Sequence, residues 1–247
     1  MCRVGVLRKS DVHGALLRYV RGVHFIHSSA SGPAPSPDEL RALQRRMGPL
    51  DNEVPGTIGF HAVLGSTEAL AVALVGARAF STGMSIDIAV RLRHSDTSPD
   101  GLDADLFGHR RRGASGAGML LGIAYPDGRS ASNVDQRRFP EPSTPADQPM
   151  LVNQSGRAGG RTHDMTYWLT PAPTPGDLTI IFAWPSRGIA ESHTVIPAEV
   201  IDEAMTRIVE LWPWSPPEQT EHPAVQDAPD LPAGGWFAQH VTDDQHE

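Results

Sequence analysis

Ser85-Ile86-Asp87-Ile88-Ala89-Val90-Arg91-Leu92 alternates without a break: Ile86, Ile88, Val90 and Leu92 point one way, and Ser85, Asp87, Ala89 and Arg91 the other. A period of two gathers the apolar side chains on one face of an extended chain and leaves the other face to water. The stretch therefore reads as a half-buried β-strand. Just upstream, residues 69–80 are apolar at almost every position, as in a strand covered on both faces. Helix is the competing reading there, because alanine recurs through the run. Ser81-Thr82-Gly83 reads as the turn between the two strands.

Further along, residues 94–118 are polar and glycine-rich and read as a long loop. Residues 119–125 resume a strand pattern, turn at Pro126-Asp127-Gly128 and return through Val134 as a hairpin. Residues 137–160 read as a second long loop. Three strands follow at 163–170, 177–184 and 189–196, with Leu178, Ile180, Phe182 and Trp184 on one face of the middle one. A closing helix starts at Pro197, with Glu199, Asp202 and Glu203 near its positive end. Ile201, Met205, Ile208 and Trp212 form its apolar stripe, Glu203 and Arg207 are an i,i+4 pair, and Pro213 stops it.

Ahead of the first strand, Leu16, Leu17, Val20 and Val23 recur at near-helical spacing, which reads as a short amphipathic helix or a dispensable extension. Residues 28–37 have linker composition, and 38–47 read as a short helix stopped by Gly48-Pro49. The expected architecture is mainly β (α+β): an antiparallel β-sandwich or open barrel closed by one C-terminal amphipathic helix, with disordered termini. Residues 1–56 form an extension and linker with short helices, 57–217 a β-rich globular domain, and 218–247 a disordered acidic, Pro-rich tail.

Composition sets limits on function. The 247 residues hold 24 Gly and 22 Pro, and the apolar fraction is 39%, so much of the chain must be turn or linker. The net charge of −8 is uneven. Residues 1–57 carry eight basic groups against five acidic, 58–217 carry 13 against 17, and 218–247 carry seven acids with no Lys or Arg. Such a balance argues against nucleic-acid binding, which needs clustered cations. All the basic residues but Lys9 are arginine, a genome-wide bias that makes any one arginine weak evidence of chemistry. Cys2 is the single cysteine, which leaves no internal disulfide or Cys-based zinc cage and fits a reducing compartment. Residues 1–30 lack the apolar run of a signal peptide, and residues 69–77 fall far short of a membrane span. A soluble, cytoplasmic protein without membrane association is the expectation.

The segment Gly156-Arg-Ala-Gly-Gly-Arg-Thr-His-Asp-Met-Thr-Tyr-Trp-Leu-Thr-Pro171, followed by Leu178-Thr-Ile-Ile-Phe-Ala-Trp-Pro-Ser-Arg-Gly-Ile189, resembles a group of uncharacterised actinobacterial proteins. In those proteins a Gly-rich loop likewise precedes a Tyr-Trp strand and a Trp-Pro corner. The likeness reaches back to about residue 57 and on to Trp212. It implies a β-rich bacterial domain, and the group has no assigned activity to carry over.

Few residues carry chemistry. Gly116-Ala-Gly118-Met-Leu-Leu-Gly122 matches a relaxed dinucleotide-loop pattern, but a polar loop leads in and a strand leaves, the reverse of what that motif needs. Neither Gly-rich loop has the Gly-Lys-Ser/Thr of a phosphate cradle, and no Gly-x-Ser-x-Gly occurs. No cofactor is indicated. Glu191 and His193 are two apart on a strand and so share a face. With His163 and Asp164 at the start of an earlier strand, they make a candidate metal or acid–base set. Arg110, Arg111 and Arg112 are candidate contacts to an anion or a partner. Trp168, Trp184, Trp212 and Trp214 read as packing between helix and sheet, and Trp236-Phe237 as a candidate docking motif in the tail. Whether the chain is an enzyme stays open. The favoured reading is a non-enzymatic module that binds a protein partner or forms a homo-oligomer, and the alternative is a metal-assisted hydrolase.

Overall fold

The computed structural model describes residues 45–95, 118–134 and 147–215, with isolated positions at 19–20, 23–24, 36, 38, 42, 102, 106 and 145. Its strands begin with β1 (Tyr19–Val20), β2 (Val23–His24), β3 (Glu53–Val54), β4 (Gly56–Ile58) and β5 (Ala62–Ser66). Then come β6 (Leu70–Phe80), β7 (Gly83–Leu92), β8 (Leu120–Ala124), β9 (Ser130–Ser132) and β10 (Met150–Gly159). The last are β11 (Thr162–Thr170), β12 (Leu178–Trp184), β13 (Ile189–Ile196) and, after the helix α1 (Ala198–Thr206), β14 (Val209–Glu210).

The alternating stretch 85–92 lies within β7, in the middle of a six-stranded antiparallel sheet ordered β10-β11-β7-β6-β4, with β5 also paired to β6. A four-stranded antiparallel sheet, β13-β12-β8-β9, lies against it. Ile86, Ile88 and Val90 of β7, Leu74 of β6, Met165 and Tyr167 of β11, and Ile180, Phe182 and Trp184 of β12 share one buried cluster. The fold is thus mainly β, with two sheets enclosing one core and no closed barrel among the described residues. At one seam β5 approaches β13, where Ser192 Oγ donates to the Leu64 carbonyl at 2.5 Å. Gly65 sits in that seam, and a Cβ there would stand 2.4 Å from Ile189 Cγ2. Helix α1 closes the core with Ile201 and Ala204, and the Ala198 N–H donates to Asp177 Oδ1 at 2.8 Å, which satisfies one of its open donors.

Several expectations change. Residues 69–80 are strand rather than helix, but the outer face of β6 is covered only at its end: Ala71 and Ala73 are half-buried and Val75 and Arg78 exposed, whereas Phe80 is buried against Trp168. Small alanines made that outer face read as apolar. The loop reading of 94–118 is corrected at Leu102 and Leu106, both helical and buried. The loop reading of 137–160 fails over β10, a strand of ten residues paired along its length to β11. Tyr19–Val20 and Val23–His24 form a two-stranded ladder where spacing had argued for a helix, in keeping with the strand preference of Tyr and Val. Asp38, Ala42 and Arg45 to Met47 are helical, as read.

The closing helix is shorter than its apolar stripe. It stops at Thr206, and the chain turns extended so that Val209 and Glu210 pair with Val54 and Glu53. Ile208 and Val209 are β-branched and lose rotamer freedom in a helix, whereas the ladder gives Val209 a backbone partner. Leu211 N–H extends that ladder to the Asn52 carbonyl at 2.8 Å. Of the unit that begins at Pro213, residues 213–215 are described.

Candidate functional site

The four residues read as a metal or acid–base set fall on different sheets. His163 and Asp164 are neighbours on β11 and point to opposite faces. His163 is buried on the core side, in register with Val90, and Asp164 is exposed on the outer side. Asp164 Oδ1 lies 2.7 Å from Arg91 Nη1, so its charge is matched by the adjacent strand. Glu191 and His193 do share a face, on β13 in the four-stranded sheet, where both are exposed and His193 Nε2 stands 2.9 Å from Glu191 Oε1. Alternation gave the second pair correctly and rules out the first as a pair. Among the described residues no three His, Cys, Asp or Glu side chains gather closely enough to hold a metal ion, so the combined His/carboxylate centre is not assembled.

What the sequence missed is the outer face of the six-stranded sheet. A shallow groove of about 440 Å³ runs over it, lined by Asp87, Asp164, Thr166, Ser155 and Arg157 among others. Asp87 accepts a hydrogen bond from Thr166 Oγ1 at 2.7 Å, and Arg78 Nη2 donates to its two oxygens at 3.2 and 3.3 Å. Both carboxylates are therefore already neutralised by neighbouring arginines, and neither is left as a free base. Arg157 stands opposite Asp164 in the β10–β11 register, but Arg91 occupies that carboxylate. The signal was present in the polar half of the β7 alternation, Asp87 and Arg91, which by itself says only that the face is wet.

A second surface lies on the two-stranded ladder formed by β3 and β14. Val54 and Val209 are direct register partners and share a face of the ladder. Their exposures are 46% and 52%, and Leu211 and Trp212 follow in the same run at 48% and 58%. Trp212, expected in the core, is the most exposed tryptophan of the three in this unit, whereas Trp168 and Trp184 are fully buried. The run is held in place by polar bonds. Asn52 Nδ2 donates to the Trp212 carbonyl at 2.7 Å and to Glu210 Oε1 at 3.3 Å, and the Ser81 N–H donates to Glu53 Oε2 at 2.9 Å. Four large apolar side chains are thus presented on a fixed backbone.

The turn of the β8–β9 hairpin carries the clearest electrostatic perturbation. Arg129 Nε donates to Asp127 Oδ2 at 2.8 Å, and its bonds hold the Asp127 carboxyl below the usual carboxylate range. The same guanidinium lies 5.3 Å from the Tyr125 ring centre and donates through Nη1 to the Asp147 carbonyl at 2.6 Å. Burial pushes the Tyr125 hydroxyl upward, and it donates to the Pro171 carbonyl at 2.8 Å. These groups tie a turn to its surroundings.

Arg110, Arg111, Arg112, Trp236 and Phe237 lie outside the described residues. Gly118 leads directly toward strand β8, as the sequence indicated, and not into a helix start. No helix among the described residues is long and apolar enough to cross a membrane. No protein-family model matches the chain, and no curated protein matches it.

Proposed function

We propose that this chain is a non-enzymatic interaction module that self-associates through the apolar surface formed by β3 and β14. The observation that carries the reading is the exposure of Val54, Val209, Leu211 and Trp212 together on one polar-anchored run. Exposing a tryptophan and three aliphatic side chains to water is unfavourable, and contiguous apolar patches with a polar rim mark association surfaces. The large, rigid indole of Trp212 is the type of anchor that dominates such contacts. A two-fold contact needs only one self-complementary patch, which is why a second copy is the favoured partner.

Sedimentation of the full chain over a range of concentrations tests this. Concentration-dependent dimer formation is expected, weakened at least tenfold by Trp212→Ala, the scale of a hot-spot anchor. A chain that sediments as a monomer at every concentration sinks the proposal. Among the described residues the metal-assisted hydrolase alternative retains the Glu191–His193 pair, two ligands where a catalytic zinc site takes three from protein.

A further inference from the structure

Strand β10 ends the six-stranded sheet, and its two halves are treated differently by the rest of the chain. Around its start, Arg46 Nη2 donates to the Gln148 carbonyl at 3.0 Å and to Met150 Sδ at 3.1 Å, and Gln154 Nε2 donates to the Met47 carbonyl at 2.9 Å. Beyond the bulge between Asn153 and Ser155 no such side-chain bond reaches the strand from elsewhere among the described residues. Ser155 to Gly159 are all exposed, yet they stay in regular register with Thr166 to Thr162. This half of the edge contains no proline and no lysine, the residues that commonly blunt an edge, and its side chains are small apart from Arg157. An edge of this kind offers backbone donors and acceptors to an added strand.

Its charge is one-sided. Among the described residues Arg157 makes no ion pair and no hydrogen bond, because its register partner Asp164 belongs to Arg91. Arg161, in the turn that follows, donates to the Arg93 carbonyl at 3.4 Å, and no carboxylate among the described residues pairs with it. Among the described residues, then, two guanidinium groups without a carboxylate of their own stand at this stretch, Arg157 within it and Arg161 just beyond its end.

We propose that Ser155 to Gly159 receive an extended acidic peptide as an additional strand, with Arg157 and Arg161 taking its carboxylates. This surface is independent of the apolar run at Trp212, and a result at one leaves the other untouched. The backbone supplies the pairing and the arginines the choice of an acidic partner. The neighbouring groove at Ser155, Thr166 and Asp164 gives room for the partner's alternate side chains.

Amide NMR of the full chain titrated with an alternating Thr-Glu octapeptide, and with its Thr-Gln counterpart, tests the idea. Saturable shifts at the amides of 155–159 are expected with the acidic peptide, weaker with the neutral one and reduced by added salt. The double variant R157E/R161E should bind about tenfold more weakly, roughly what two exposed ion pairs replaced by two repulsions amount to. Affinity unchanged in that variant, shifts confined to other amides, or tighter binding of a single-stranded oligonucleotide at the same amides would each overturn the proposal. So would movement of these amides with protein concentration alone, which would assign the edge to a second copy.

Discussion

Strands β7 and β10 flank β11 in the same sheet, and each pairs with it over eight or more residues. In backbone terms they are alike, but their side chains differ. β7 has a strict alternation, and its inward residues Met84, Ile86, Ile88 and Val90 are at most 1% exposed. β10 reads Met-Leu-Val-Asn-Gln-Ser-Gly-Arg-Ala-Gly, and its last six residues are exposed. A central strand must fill the core and is specified by its own side chains, whereas an edge strand can be specified by the ladder that its neighbour offers. The same difference appears in what fixes each strand in place. β7 is locked by packing, and the first half of β10 by polar bonds: Arg46 and Arg129 reach in to the segment that enters it, and its own Gln154 reaches out to the Met47 carbonyl.

The largest expected effect follows from that contrast. Ile88→Ala opens a cavity at a site shared by both sheets and should cost about 2–5 kcal/mol in denaturant unfolding. Arg157→Ala on β10 should stay within about 0.5 kcal/mol, since its side chain is exposed and touches no ion partner among the described residues. Equal costs at the two positions would show that the edge is packed as tightly as the centre, and the distinction would fall.

Glycines give a smaller and sharper version of the same test. A Cβ on Gly83, at the start of β7, would stand 2.4 Å from the Leu169 carbonyl oxygen and 2.5 Å from Trp168 Cζ2. Trp168 is itself fully buried edge-on to Phe80, with ring centres 5.5 Å apart, so it has little room to retreat. Gly83→Ala should therefore destabilise by about 1–3 kcal/mol, as overpacking does. On β10, a Cβ at Gly159 meets only Thr162 Oγ1, at an ordinary 3.5 Å, and Gly159→Ala should be neutral to slightly stabilising. Thermal unfolding of the two variants side by side decides the matter, and a Gly159 variant as damaged as the Gly83 one would count against a loosely held edge.

The contrast also explains what could be read from the chain. β7, the β8–β9 hairpin, β12 and β13 were legible because alternation or a Pro-Asp-Gly turn is written in their own residues. β10 was not, because Ser155-Gly-Arg-Ala-Gly159 has no period and becomes a strand only when β11 lies beside it. The end of α1 was misjudged for a related reason. Ile208 and Trp212 continue a helical stripe in sequence, but Val209 and Glu210 gain partners from Glu53 and Val54, more than 150 residues earlier, and one-dimensional periodicity does not contain that pairing. Of the candidate site, only the Glu191–His193 pair was legible. Alternation also separates His163 from Asp164, but the division of the set between two sheets depends on strand order, which the local pattern does not encode.

The smallest effect concerns how the segment entering β10 is held. Asp127 orients Arg129, and Arg129 in turn holds the Asp147 carbonyl, three residues before β10 begins. Hydrogen bonds from Arg129 depress the Asp127 carboxyl in the folded chain relative to its ordinary value of 3.8. A depressed folded-state value means that protonation favours the unfolded chain. The contribution is therefore present above the ordinary value and is lost as the pH falls through the lower folded one. Carboxyl carbon NMR should place the Asp127 midpoint below 3.8, with the amides of residues 147–150 moving over the same pH range. Asp127→Asn should shift those amides already at neutral pH and lower the global unfolding midpoint only slightly, because the ion pair lies at the surface. If the variant instead lowers that midpoint as Ile88→Ala does, the entry to β10 is part of the cooperative core, and the edge strand is fixed by more than the few polar bonds that reach it.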